Sequence, residues 1–161
     1  MAVDMFLKLD GVKGESKDKA HTQDIDILSW SWGMSNSGSA HQGSGAGSGK
    51  VSVQDVSITK YIDTSSPKIM LSCCDGAHFS SALITVRKAG GENPVEYVKI
   101  KMQEVLISNV TTGGSGGEER LTENVSLNFG KVSLDYVPQN DKGEAGTAIP
   151  FGWDIGENCK I

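Results

Sequence analysis

Ile25-Asp26-Ile27-Leu28-Ser29-Trp30-Ser31-Trp32-Gly33-Met34 is strand sequence that changes phase partway. Ile25 and Ile27 flank a polar residue, the alternation of a half-buried strand. From Leu28 the bulky residues move to the other parity, as Leu28, Trp30, Trp32 and Met34. Successive strand residues point to opposite faces, so a change of buried parity needs a bulge or a sharp bend. Beyond the slip, Trp30, Trp32 and Met34 make one bulky face; Ser29, Ser31, Gly33 and Ser35 make a small, neutral one.

The same break recurs along the chain. Val51 and Val53 are followed by Val56, Ile58 and Ile62, and Val95 and Tyr97 by Val98, Ile100 and Met102. Val125, Leu127 and Phe129 give way, across Gly130-Lys131, to Val132, Leu134 and Tyr136. Repeated slips suit long strands that bend around a barrel or cross between packed sheets. The expected fold is mainly β, a small and strongly curved antiparallel barrel. Separate short strands joined by turns are the other reading of the slips. Near the two ends, Val3, Met5, Leu7 and Leu9 alternate with polar residues, as do Ile149, Phe151, Trp153 and Ile155, so both ends should be tied into sheets.

One helix is expected. Ser66 can cap its start, Pro67 fits the first helical position and Gly76 can close it. Ile69, Met70 and Cys73 share a face, and about two to three turns cannot stand alone, so the helix must lie on the barrel. Thr112 to Gly117 suits a hairpin connection between Val105–Val110 and Leu121–Phe129. The tract Ser37-Gly38-Ser39-Ala40-His41-Gln42-Gly43-Ser44-Gly45-Ala46-Gly47-Ser48-Gly49 is too long for a plain turn. It reads as a loop that is mobile or ordered by a partner.

At 161 residues the chain reads as one domain, 1–161. Net charge is −5 with no basic block, which argues against nucleic acid. No apolar run reaches signal-peptide or membrane-spanning length, so a soluble protein made in the cytoplasm, without direct membrane binding, is expected. Adjacent Cys73 and Cys74 with distant Cys159 make neither a disulfide framework nor a metal site; buried or half-buried thiols are expected.

Three catalytic patterns fail on inspection. Gly113-Gly114-Ser115-Gly116-Gly117 matches a nucleophile elbow, but charged and then strand-like sequence follows where a helix is needed, and the last His lies upstream at His78. Gly49-Lys50 lacks the earlier Gly and the following Ser or Thr of a phosphate loop. Ser57-Ile58-Thr59-Lys60 and Ser65-Ser66-Pro67-Lys68 lack the companion motifs of a penicillin-binding enzyme. His21, His41 and His78 are read as separate and exposed. No enzyme, cofactor or metal is expected.

Gly14-Glu15-Ser16-Lys17-Asp18 with His21, then Asp26 to Gly33, resembles the Hcp family, the haemolysin-coregulated proteins of type VI secretion. The resemblance continues through Lys60-Tyr61-Ile62-Asp63, Ser66-Pro67, Arg87-Lys88-Ala89-Gly90-Gly91 and Leu121 to Tyr136. It implies an antiparallel β-barrel of two packed sheets with one short flanking helix, assembling as a homo-hexamer. Stacked rings would form a tube inside a contractile sheath, capped by a VgrG-type spike and carrying small effector proteins. Such a protein is cytoplasmic before firing and secreted afterwards without a signal peptide. In that picture Ser29 and Ser31 are expected to face the lumen, and Ser37–Gly49 to order on a neighbouring ring. The alternative is a monomeric β-sandwich module that binds a ligand through its Gly/Ser loops.

Overall fold

A computed structural model describes residues 3–38, 48–88 and 92–161. In chain order these form β1 (Val3–Leu9), β2 (Ile25–Asp26), β3 (Ser29–Ser31), β4 (Met34–Gly38), β5 (Ser48–Val53) and β6 (Val56–Tyr61). Then come α1 (Ser66–Asp75), β7 (His78–Lys88), β8 (Glu96–Thr112), β9 (Thr122–Asn128), β10 (Lys131–Tyr136), β11 (Ile149–Asp154) and β12 (Cys159–Lys160). Ladder pairing is antiparallel throughout.

The 17-residue β8 belongs to two sheets. Its first half pairs with β7 and β10, in a sheet ordered β12-β11-β10-β8-β7-β1-β2. Its second half pairs with β9, which continues to β6 and β3. The turn between halves falls at Glu104, whose φ is 56°, a left-handed conformation that breaks the alternation between Met102 and Val105. Opposite it, Gly130 passes the chain from β9 to β10, its N–H donating to the Gln103 carbonyl at 3.0 Å. A Cβ at 130 would meet the Glu104 carboxylate, the far end of an exposed side chain that would have to swing aside.

Two of the parity slips mark these crossings, at Ile27-Leu28 and at Gly130-Lys131. Ile27 donates its N–H to the Met5 carbonyl in the first sheet, and Leu28 donates to the Thr59 carbonyl in the second, at 3.1 and 2.7 Å. One peptide unit thus joins the sheets at the slip read between Ile27 and Leu28. The slip at Tyr97 is a register shift of β8 against β7, between Val86 and Arg87. The result is a barrel-like pair of sheets around one core of Leu7, Leu9, Ile25, Ile58, Ile84, Ile100, Met102, Val125 and Leu127 with their neighbours.

Several expectations need correction. Leu28 and Met34 are exposed, while Trp30 and Trp32 pack against the core. Helix α1 begins at Ser66 rather than being capped by it, because that hydroxyl is engaged elsewhere; its buried face is Ser66, Ile69 and Ser72. Gly76 does close it, at φ 70°. Cys73 and Cys159 are half-buried, but Cys74 is exposed on the helix. Partial burial and the carboxylates of Glu157 and Asp154 push the Cys159 thiol up, away from the reactive thiolate.

His21 is not a free surface histidine. It stacks on Phe6 at 4.3 Å and meets Asp24 through Nδ1 at 2.9 Å and Glu96 through Nε2 at 2.8 Å. Arg87, 5.0 Å above the same Phe6 ring, bonds Asp18 and Asp4. Its guanidinium holds the Asp18 carboxyl below its ordinary range. The segment from 14 to 24 is thereby fastened over the outer face of the first sheet.

The parity reading passed over Lys60, between Ile58 and the exposed Ile62. Lys60 lies on the buried side of β6 and is fully enclosed. Its three N–H groups have three acceptors: Glu123, Asp63 at 3.0 Å and Ser66 Oγ at 3.1 Å. The Ser66 hydroxyl donates to Glu123 at 2.6 Å and accepts from the Asp63 N–H at 3.0 Å. This knot ties β6, β9 and the start of α1 together. Removing one partner leaves the other charge buried, which costs about 3–5 kcal/mol. Lys60→Met should lose that much in urea unfolding, and Lys60→Met/Glu123→Leu should recover most of it. Equal losses in the single and double variants would show that packing, not charge pairing, sets the cost.

Candidate functional site

The outward face of the second sheet follows from strand register alone. Ser29 stands opposite Thr59, Thr59 opposite Asn124, and Asn124 opposite Thr111. In the next row Ser31, Ser57, Ser126 and Asn109 stand side by side. Between them runs the inward row of Trp30, Ile58, Val125 and Val110, which packs on the core. Two adjoining rows across four strands therefore present only hydroxyl and amide groups to solvent.

These groups bond to one another. Thr59 Oγ1 donates to Asn124 Oδ1 at 2.7 Å, Ser57 and Ser126 hydroxyls meet at 3.3 Å, and Thr111 Oγ1 donates to Asn109 Oδ1 at 3.0 Å. At one end Asp55 is engaged, accepting from Ser108 Oγ at 2.6 Å and Asn128 Nδ2 at 2.8 Å. At the other end Arg120 lies over the Tyr61 ring, 3.8 Å from its centroid.

Ser29 and Ser31 are exposed on this face, opposite in parity to Trp30. Thr59, Ser57, Asn124, Ser126, Asn109 and Thr111 were not singled out from sequence. Their signal was present as the polar parity of Val56–Tyr61 and of Thr122–Asn128, but pairing was needed to bring them beside Ser29 and Ser31.

The Ser37–Gly49 tract divides. Ser37 and Gly38 end β4, Ser48 and Gly49 begin β5, and residues 39–47 lie outside the described residues. Asn36 ties the hairpin, donating from Nδ2 to the Gly49 carbonyl at 2.8 Å. Among the described residues β4 and β5 pair only with each other, and every side chain from Met34 to Ser37 is exposed. This hairpin stands apart from the polar face.

Gly113–Gly117 lies in the connection between strands β8 and β9, without the helix a nucleophile elbow requires. Among the described residues no cluster of three or more His, Cys, Asp or Glu is placed to hold a metal ion.

A second surface is apolar. The β10–β11 end of the first sheet extends past the second sheet, and Tyr136, Ile149 and Phe151 share its inward parity with Leu134 and Trp153. Tyr136 is 45% exposed, Ile149 60% and Phe151 38%. The expected half-buried C-terminal strand is therefore only partly covered by its own chain.

A barrel-like pair of sheets with a smooth polar face, a projecting hairpin and an uncovered apolar strand end describes a structural building block. The chain belongs to the family described as type VI secretion system effector, Hcp, whose model matches residues 6–136. It is 62% identical over 161 residues to protein hcp1 of Pseudomonas aeruginosa, covering 99% of each chain. Among solved structures, a type six secretion system protein superposes with a TM-score of 0.93 at 31% identity, covering 99% of this chain and 100% of that one. Hcp1 from Salmonella typhimurium gives 0.81 at 36% identity, with full coverage of both. The protein is a structural tube subunit of type VI secretion.

The two parities of the second sheet predict opposite responses to one substitution. Thr59→Asp or Ser126→Asp should change stability by less than about 1 kcal/mol in urea unfolding, as at other solvated positions. Ile58→Asp or Val125→Asp, one residue away, should lose more than about 3 kcal/mol by burying an unpaired carboxylate. Similar losses at both parities would mean that the polar face is interior.

Proposed function

We propose that this chain, as a single domain over residues 1–161, closes with five copies of itself into a ring whose lumen is walled by the polar face around Ser29 and Ser31. Rings stack into a tube within a contractile sheath, under a VgrG-type spike. Contraction exports tube and spike, and small effector proteins travel in the lumen. The protein is then cytoplasmic before firing and secreted afterwards without a signal peptide.

The observation that carries the ring is the uncovered β10–β11 end. Fully burying a large apolar side chain contributes about 1.5–3 kcal/mol, so Tyr136, Ile149 and Phe151 together favour association. Among the described residues the outer edge of β11 is paired only at Trp153 and Asp154, apart from one bond from the Ile161 N–H to the Gly152 carbonyl. An apolar face beside an open edge invites a neighbour. On this reading the patch meets a different patch on the next copy. Such heterologous contacts close into rings when the rotation allows.

Sedimentation of the purified protein with negative-stain imaging tests the ring. Six chains of 17.1 kDa make an open ring of about 103 kDa. Phe151→Asp should shift it to a folded 17.1 kDa monomer. A wild-type monomer at high concentration would favour the self-contained binding module instead.

Stacking falls to the β4–β5 hairpin with the Ser37–Gly49 tract, supported by its exposed, self-paired strands. Shortening the tract should leave isolated rings intact while impairing tube growth and secretion. Normal secretion by the shortened form would remove this role.

A further inference from the structure

The polar face contrasts with the rest of the chain. Acidic and basic residues make up 35 of 161, and the net charge is −5, yet the eight positions of the two outward rows carry none. A face shaped for solubility commonly mixes charges of both signs among its polar residues. The outward face of the first sheet does so, with Lys8, Lys99, Lys101 and Lys131 beside Asp10 and Asp135. Charge is therefore missing from these two rows but present on the outward face of the first sheet.

We propose that this wall is blind to the charge of what it holds: its partner is a small folded protein gripped through uncharged hydrogen-bonding surface, without Coulombic selection. The inference rests on the reading of this face as the lumen. Its physical basis is the state of the wall groups. Thr59 has given its hydroxyl proton to Asn124, and Thr111 has given its own to Asn109. What remains toward the lumen is a mixture of amide donors and oxygen acceptors, which meets either sense of a polar partner.

The nearest charges do not overturn this. Asp55 lies two residues along β6 from Ser57, roughly 7 Å at strand spacing, and its carboxylate already accepts two hydrogen bonds. Through water and physiological salt, one charge at that distance changes affinity by less than about threefold. Arg120, at the other end over the Tyr61 ring, carries the opposite sign, so the copies of the two charges offset one another, and the Debye length of about 8 Å at 0.15 M salt mutes the charges farther off. Contacts formed this way are individually weak, which suits a cargo that must also leave.

The test uses assembled rings and one folded carrier protein of roughly 10 kDa made in three surface-charge versions, near −8, 0 and +8. Binding is measured by fluorescence anisotropy at 0.15 and 0.5 M salt, with wild-type rings and with Ser31→Phe rings of the same mass. The neutral version should bind at least as well as the others. The two charged versions should agree within about threefold, and salt should change none by more than that. All binding should fall at least tenfold in Ser31→Phe rings. A tenfold preference for one sign, removed by salt, would overturn charge-blindness while leaving the lumen reading in place. Binding that ignores Ser31→Phe would overturn the lumen reading itself. Failure of all three versions to bind wild-type rings would show that this wall does not grip protein. As the converse check, Thr59→Lys rings should gain a salt-sensitive preference for the negative version.

Discussion

The pairing of Lys60 with Glu123 sets the register on which the rest of the second sheet depends. The two residues are direct cross-strand partners on β6 and β9, both enclosed, and Lys60 finds an acceptor for each of its three protons. A slip of β6 by one residue would turn Lys60 outward, leave Glu123 buried without its partner and drive Thr59 into the core. Hydrophobic residues alone specify that register less sharply, since Val, Ile and Leu tolerate repacking, whereas an orphaned buried charge is strongly destabilising. One oxygen of Glu123 has no partner among the described residues, so the knot is held at some cost in stability. The same pair therefore decides which side chains the polar face displays.

Curvature is the second constraint. A flat sheet of these strands would leave one face of the core open. The left-handed residue at Glu104, the glycine at 130 and the single peptide between Ile27 and Leu28 instead turn the chain from one sheet to the other. The slips at Ile27-Leu28 and Gly130-Lys131 are the sequence trace of two of these turns. The tubular role follows from the result: one sheet is free to present a smooth outward face, because the other sheet and α1 cover its inner side. At β10 and β11 the apolar residues Tyr136, Ile149 and Phe151 remain exposed.

Much of this was legible in the residues themselves. Alternation marked the strands, the slips at Ile27-Leu28 and Gly130-Lys131 marked two crossings, and Ser66-Pro67 with Gly76 bracketed the helix, because strand and helix periods are properties of local backbone geometry. The small parity of Ser29 and Ser31 was visible for the same reason. The resemblance carried by Gly14 to Asp18, His21 and the Trp30–Trp32 stretch pointed to the family that the comparisons establish.

What only the tertiary structure decided are the relations between distant segments. Nothing local says that Lys60 faces inward, since a lysine is ordinarily a surface residue; its burial depends on Glu123, 63 positions away, and on the start of α1. Nothing local makes His21 a bridge to Glu96, or leaves Ile149 and Phe151 uncovered when their alternation matches that of buried strands. Sequence by itself determined which residues share a parity. The structure decided which parities meet, because long-range pairing assembles four separate polar rows into one uncharged wall and leaves one apolar strand end without a cover.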